Sequence, residues 1–196
     1  MNIAQPIKQT DDLNNFKKYY KKIQPNGRNS LLIVMGLNTA LRISDILPLK
    51  WEDVYDFERG AYRSHISLTE QKTGKRTAIY LNESIIQELN EYWSVVEEKK
   101  GAVKKGFFLF GHSNKNVPIT RVQAFRIIRR AAECSNISGV ISCHSLRKTF
   151  GYHAWKQGAE PALLVNIYNH STYQVTKRYL GIEQDDRDQI FKSVTL

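Results

Sequence analysis

His144-Ser-Leu-Arg147-Lys-Thr-Phe-Gly151 is the stretch around which the rest of the chain can be ordered. Residues three apart share one face of a helix, so His144 and Arg147 would point at the same ligand. A guanidinium offers a planar fork of donors that suits a phosphate, and an imidazole can donate to it or move its proton. Downstream stand His170 and then Tyr179, whose hydroxyl is a candidate nucleophile for a covalent mechanism. H-x-x-R recurs often by chance, so the weight of the stretch comes from what surrounds it.

Outward from that point, the pattern is mainly helical. Thr10-Asp-Asp opens an amphipathic helix (Leu13, Phe16, Tyr20, Ile23) that Pro25-Asn-Gly27 ends, with Thr10 as its cap. Residues 28–41 are apolar enough for a core helix, and Leu41–Leu47 reads as a short second one, with Ser44 as cap and Pro48 as its close. From 54 to 81 the texture turns β-rich over Val54–Phe57, Tyr62–Leu68 and Arg76–Leu81, with Lys72-Thr-Gly-Lys75 as a turn. Asn82-Glu starts a long helix to about Lys100. The charged run Glu97–Gly106 reads as a solvated linker and Phe107–Phe110 as a short buried segment. Thr120-x-x-Gln123 and Ser171-x-x-Gln174 fit capping boxes. The stretch quoted first lies on a helix over about 144–157 that Gly158 ends, and Pro161 starts another reaching about Tyr168. A last helix spans about 184–193, and its apolar side (Ile190, Phe191, Val194) suits docking on its own domain or on a neighbour. The fold class expected is mainly α with a small antiparallel β-sheet of about three strands.

Composition narrows the function. Twenty-nine Lys and Arg against 19 acids leave a formal net charge of +10, which favours a polyanionic partner such as DNA, RNA or an anionic membrane surface. No apolar run reaches the ~18 residues that span a bilayer, and the N-terminus lacks a secretory layout, so a cytoplasmic protein is expected. Cys134 and Cys143 are too few for a disulfide framework or a zinc cluster. The 196 residues fit a single domain.

Five segments, read together, resemble the tyrosine recombinase (phage integrase) family. Thr39-Ala-Leu-Arg42-Ile-Ser-Asp-Ile-Leu-Pro-Leu is similar to its first box, and Lys72-Thr-Gly-Lys-Arg-Thr-Ala-Ile to its sheet hairpin. His144-Ser-Leu-Arg147-Lys-Thr-Phe-Gly is similar to its second box, and Asn169-His170-Ser and Arg178-Tyr179-Leu to its last His and its Tyr. The resemblance implies a catalytic set of Arg42, Lys72, His144, Arg147, His170 and Tyr179. Arg42 and Arg147 would bind the non-bridging oxygens of a DNA phosphodiester. Tyr179 would attack phosphorus to give a 3′-phosphotyrosyl enzyme, with His144 as the candidate base. Lys72 would protonate the departing 5′-oxygen, and His170 would add a donor.

Each residue also has a plainer reading. Arg42 could pair with Asp45, Lys72 and Lys75 could each be turn residues and compete for one role, and Tyr168 and Tyr173 stand near Tyr179. His65, His112 and His153 read as structural or surface residues. Two departures from the family pattern stand out: Tyr168-Asn169 where Leu-Gly is usual before the last His, and Lys148 where His often follows the second Arg.

The resemblance implies a site-specific DNA recombinase or integrase of a phage or mobile element, metal-independent and without a cofactor. Its expected partner is double-stranded DNA, with self-association on DNA, no membrane and no small-molecule substrate. Residues 1–196 would be one catalytic domain, the family's N-terminal core-binding domain being absent. The alternatives are a DNA-binding accessory protein that keeps the fold without strand transfer, and DNA relaxation of the type IB topoisomerase kind. An RNA-binding or membrane-surface protein would explain the charge alone.

Overall fold

The computed structural model describes residues 4–100, 103–112 and 115–195. Helix α1 (Thr10–Lys18) has Asp11 and Asp12 in its first turn and Lys17 and Lys18 in its last, matching the helix dipole at both ends. Its N-cap is Gln9, so Thr10 is the first helical residue and not the cap. The helix runs on into a π turn over Tyr19–Ile23, where the Tyr20 hydroxyl donates to the Ile127 carbonyl at 3.1 Å.

Helix α2 (Gly27–Asn38) is buried from Asn29 to Leu37 and is the axis of the molecule. Its cap is Asn26, whose side chain accepts from the Asn29 amide at 3.0 Å. A β-carbon on Gly36 would sit 3.1 Å from Leu146 Cβ, so glycine here allows a later helix to press onto α2. Short helices α3 (Ile43–Ile46) and α4 (Trp51–Val54) follow, with Arg42, not Ser44, at the N-cap position of α3.

The β-rich region forms two-stranded antiparallel ladders, not one three-stranded sheet. Strand β1 (Tyr55–Asp56) pairs with β2 (Ala61–Tyr62), and β3 (His65–Thr69) pairs with β4 (Arg76–Tyr80). The stretch expected as one strand over 62–68 breaks at Arg63-Ser64. There the Arg63 amide turns back to the Val54 carbonyl at 2.8 Å, and the Ser64 carbonyl takes the Leu81 amide at 2.9 Å. Ile66 faces the core from β3. Between β3 and β4, Gly74 adopts φ +67 and closes the turn by donating to the Glu70 carbonyl at 2.9 Å.

Helix α5 (Glu83–Lys100) packs on α2 and takes up the first residues of the expected linker; residues 101–102 of that run lie outside the described residues. Leu109 and Phe110 are buried as expected, while Phe107 is exposed. Strands β5 (Gly111–His112) and β6 (Lys115–Pro118) form a third ladder.

Helix α6 (Arg121–Cys134) starts at the expected box: the Gln123 amide donates to Thr120 Oγ1 at 3.2 Å, and the Thr120 amide to Gln123 Oε1 at 2.8 Å. Helix α7 (Cys143–Lys156) is capped from Ser142 and packs against α2. Helix α8 (Pro161–Tyr168) begins on its proline and ends on Asn169, in the left-handed region at φ 53. Helix α9 (Tyr173–Leu180) is capped by Thr172, one residue after the expected Ser171, and ends on Gly181 at φ 71. Helix α10 (Glu183–Ser193) follows; Ile182 is buried, and Lys8 holds Asp185 at 2.6 Å. Ile190, Phe191 and Val194 are exposed.

Among the described residues, three apolar clusters hold this together. The largest joins α2, α3 and α4 to the β3–β4 hairpin and α5, and a second joins α1 to α6 and α7. The third (Ala40, Tyr152, Leu164, Tyr168, Leu180, Ile182) seats α8 and α9 on α7. Gly151 is the contact point of this last cluster: a β-carbon there would lie 2.6 Å from Leu180 Cδ2 and would collide with the Tyr168 hydroxyl. Gly151→Ala is therefore expected to lower stability by ~1–3 kcal/mol, as overpacked cores do. Urea denaturation followed by circular dichroism checks this.

Candidate active site

Arg147 is only 3% exposed, and it is fixed from several sides. Its Nη1 donates to the Ala40 carbonyl, and Nη2 makes long contacts to the carbonyls of Ile167 (3.4 Å) and Tyr168 (3.5 Å). Ala40 is turned into the left-handed region at φ 54, an uncommon conformation for a residue with a β-carbon. The Tyr168 ring lies under the guanidinium at 4.7 Å, and the Tyr168 hydroxyl donates back to the Arg147 carbonyl at 2.7 Å. Among the described residues Arg147 forms no ion pair with a carboxylate, although the Glu70 carboxylate acts on it from a distance.

Arg42 precedes α3 and pairs with Glu70, which is 4% exposed. The plainer reading, an Arg42–Asp45 pair, does not hold. Asp45 Oδ1 instead accepts the Gln71 amide at 2.8 Å. The two contacts stitch α3 to the start of the hairpin turn and so set where Lys72 stands. Lys72 is exposed on a pocket wall, whereas Lys75 is drawn away to α8, where its Nζ donates to Asn166 O (3.0 Å) and Oδ1 (2.9 Å).

That pocket has a volume of about 390 Å³. Its wall includes Arg42, Lys72, Arg121, His144 and Arg147, so four of the six expected residues meet there. His144 enters from the first turn of α7. His170 and Tyr179 are not on this wall. They lie on the Tyr168 side of Arg147: the His170 and Tyr179 rings meet edge-on at 5.1 Å, and Tyr168 is 5.4 Å from Tyr179. The charge of Arg147 acts on the Tyr179 phenol, so the guanidinium links the two halves of the site electrostatically. His170 is oriented through Nδ1, 3.0 Å from Thr176 Oγ1. The Tyr168-Asn169 departure leaves this arrangement intact, because Asn169 takes the left-handed position that glycine would fill.

Sequence reasoning missed Arg121, Glu70 and Tyr168 as parts of the site. Arg121 directly follows the Thr120 cap, but only the packing of α6 beside α3 and α7 shows that it reaches the pocket. The expectation for His153 holds: it is structural, with Nε2 3.0 Å from the Ile7 carbonyl.

Comparison with known proteins gives this fold a family. The model of the phage integrase family matches residues 7–185. The chain belongs to the phage integrase family. It is 38% identical over 192 residues to a probable integrase/recombinase, YoeC, of Bacillus subtilis (strain 168), covering 98% of this chain and 97% of that one. It is 23% identical to the tyrosine recombinase XerD of Staphylococcus aureus (strain Mu50 / ATCC 700699), covering 90% of this chain but 55% of the relative. Among solved structures, XerA recombinase superposes with a TM-score of 0.74 at 17% identity, over 97% of this chain and 66% of that one. XerH bound to a palindromic difH substrate gives 0.71 at 22% identity, over 91% and 49%. The integrase fold is thus shared over nearly the whole chain, while the chain spans about half the length of XerD and XerH.

Burial first, and the charges of nearby cations second, set the electrostatics of this site. Partial burial, and then the charges of Lys148, Arg121, Arg147 and Arg42, hold the His144 imidazole below its usual 6.5. Burial, Arg147 and Arg42 do the same to His170. Burial raises the Tyr179 phenol above 10, against the opposing pull of Arg147 and Arg42. The two imidazoles bind protons less well in the folded chain than in the unfolded one. Their share of stability is complete above pH 6.5 and is lost as the pH falls through that value and through their lower folded pKa values. The urea midpoint is expected to fall below pH 6.5, and to fall less steeply in a His144→Gln/His170→Gln double variant. Denaturation curves over a pH series check this.

Proposed function

We propose that the chain is a site-specific DNA strand-transferase that cuts and rejoins strands through a 3′-phosphotyrosyl intermediate on Tyr179. The observation that carries the reading is the convergence of Arg42, Lys72, His144 and Arg147 on one pocket, with Tyr179 against Arg147. The names of its relatives, integrase and recombinase, point the same way. The excess of basic residues suits a DNA backbone.

In this reading, Arg42, Arg121 and Arg147 engage the non-bridging oxygens of the scissile phosphate. Held guanidinium donors stabilise the charge that develops at phosphorus without reorganising as it forms. Tyr179 Oη attacks phosphorus, and the bond to the 5′-oxygen breaks. The phenolic proton passes to His144, which is kept neutral for that task. Lys72 gives a proton to the departing 5′-oxygen. The phosphotyrosyl bond conserves the energy of the broken linkage, so a 5′-hydroxyl from another strand can reverse the steps and rejoin. His170, held by Thr176, steadies the phosphate as a donor. With three guanidinium groups and Lys72 at one phosphate, the reaction is assigned as metal-independent. Residues 1–196 act as the catalytic domain, with double-stranded DNA as partner and further copies of the chain assembling on it.

The accessory-protein reading predicts binding without covalent capture, and one assay separates the two. A nicked suicide duplex in the presence of chelator is expected to give a protein–DNA adduct with the wild type and none with Tyr179→Phe. Retention of the adduct in Tyr179→Phe, or loss of it in chelator, contradicts the mechanism; denaturing gels read it. The two lysines separate in the same way. Lys72→Ala is expected to slow cleavage by about 10²–10⁴-fold. A 5′-bridging phosphorothiolate, whose sulfur leaves without a proton, should restore its rate. Lys75→Ala, which loses only a contact to α8, should stay within about tenfold of wild type and gain nothing from the sulfur.

A further inference from the structure

Lys148 follows Arg147 on α7, where the family pattern often has His. It is 7% exposed, unusually buried for a lysine. Among the described residues it forms no ion pair with a carboxylate. The contact given to its charge is the face of the Tyr179 ring, with Nζ 4.9 Å from the centroid. Burying an ammonium without a counter-charge is costly, so a buried, uncompensated cation on the ring of the proposed nucleophile calls for a reason.

The ring supplies one. An aromatic face attracts a cation through its quadrupole. When the phenol ionises, negative charge spreads into the ring and the attraction grows. We propose that Lys148 is a positioning residue for Tyr179, its ammonium laid on the ring face so as to hold the phenol in place and favour its ionised form. The inference rests on the reading of Tyr179 as nucleophile, but its physical content, a charge effect on one phenol, is measurable apart from DNA cleavage.

Other groups face Tyr179 and could do the same work. Arg147 comes from α7, Tyr168 from α8, His170 from the loop after it, and Arg42 from ahead of α3. The two arginines line the pocket and Lys148 does not. A phosphate bound there spends the field of Arg42 and Arg147 on its own oxygens. Tyr168 carries no charge to offer, since burial raises its phenol further still, and His170 is kept neutral by burial and its cationic neighbours. Lys148, which lies off the pocket wall, keeps its place on the Tyr179 ring once substrate is in place. Burial pulls its own pKa down, so keeping the ammonium charged on the ring comes at a cost.

The test replaces Lys148 with Met, which keeps the apolar stem and removes the charge, and with Arg, which keeps the charge. Tyrosine labelled with ¹³C at Cζ reports ionisation of each phenol by NMR, and the Tyr179 signal is assigned by its loss in Tyr179→Phe. In Lys148→Met the Tyr179 midpoint is expected to rise by about one pH unit or more, with Lys148→Arg near wild type. The pH profile of adduct formation on the suicide duplex should move in the same direction, with about tenfold loss near neutrality that recovers at higher pH. An unchanged Tyr179 midpoint in Lys148→Met overturns the proposal, as does a cleavage loss of equal size at every pH. If Tyr179→Phe still forms the adduct, the nucleophile assignment fails, while the NMR midpoint still decides the charge effect. Circular dichroism confirms that each variant is folded.

Discussion

A guanidinium taken out of water without a carboxylate partner has to be satisfied by carbonyl oxygens, and the structure is arranged to do this for Arg147. Ala40 supplies one carbonyl, and the end of α8 supplies others at Ile167 and Tyr168. Each segment that supplies an accepting carbonyl is far from Arg147 in sequence, so the contact forms only when α2, α7 and α8 are all in place. Neutral oxygens orient the fork without cancelling its charge, which a buried carboxylate would do. The left-handed Ala40 and the hydroxyl that Tyr168 returns to the Arg147 carbonyl are consequences of the same requirement.

Arg42 solves the problem differently. Glu70 neutralises it from the hairpin, and Asp45 holds the next residue of that hairpin by its amide. The pair ties the turn that carries Lys72 to Arg42. Glu70 thus pairs directly with Arg42 and acts on Arg147 only from a distance. The β3–β4 hairpin is thus positioned by the same ion pair that tempers Arg42, and Lys75 anchors the far side of the turn to α8.

Much of this was legible in the sequence. The helix from Cys143 to Lys156, the Thr120 box and the Pro161 start are local, and local rules found them. The Asn169 substitution was readable in retrospect, since asparagine tolerates the left-handed turn that glycine usually fills. The break at Arg63-Ser64 was not legible, because Tyr62 and Ile66 flank it with strand-favouring residues and the pairing with Val54 and Leu81 divides the strands. The choice of Thr172 over Ser171 as cap lay within the uncertainty of one residue between two good capping side chains. Arg121, Glu70 and the burial of Lys148 depend on contacts between distant elements, and no spacing rule reports those. The sequence held the reacting groups, but the groups that hold them in place are visible only in three dimensions.

The account stands on a single phenolic oxygen sharing a phosphate with Arg147. Its most direct test is to digest the covalent protein–DNA complex with trypsin and locate the nucleotide by mass spectrometry. The added mass is predicted on residue 179, within the peptide that begins after Arg178. A nucleotide found on Tyr168, Tyr173 or any other residue would contradict the arrangement described.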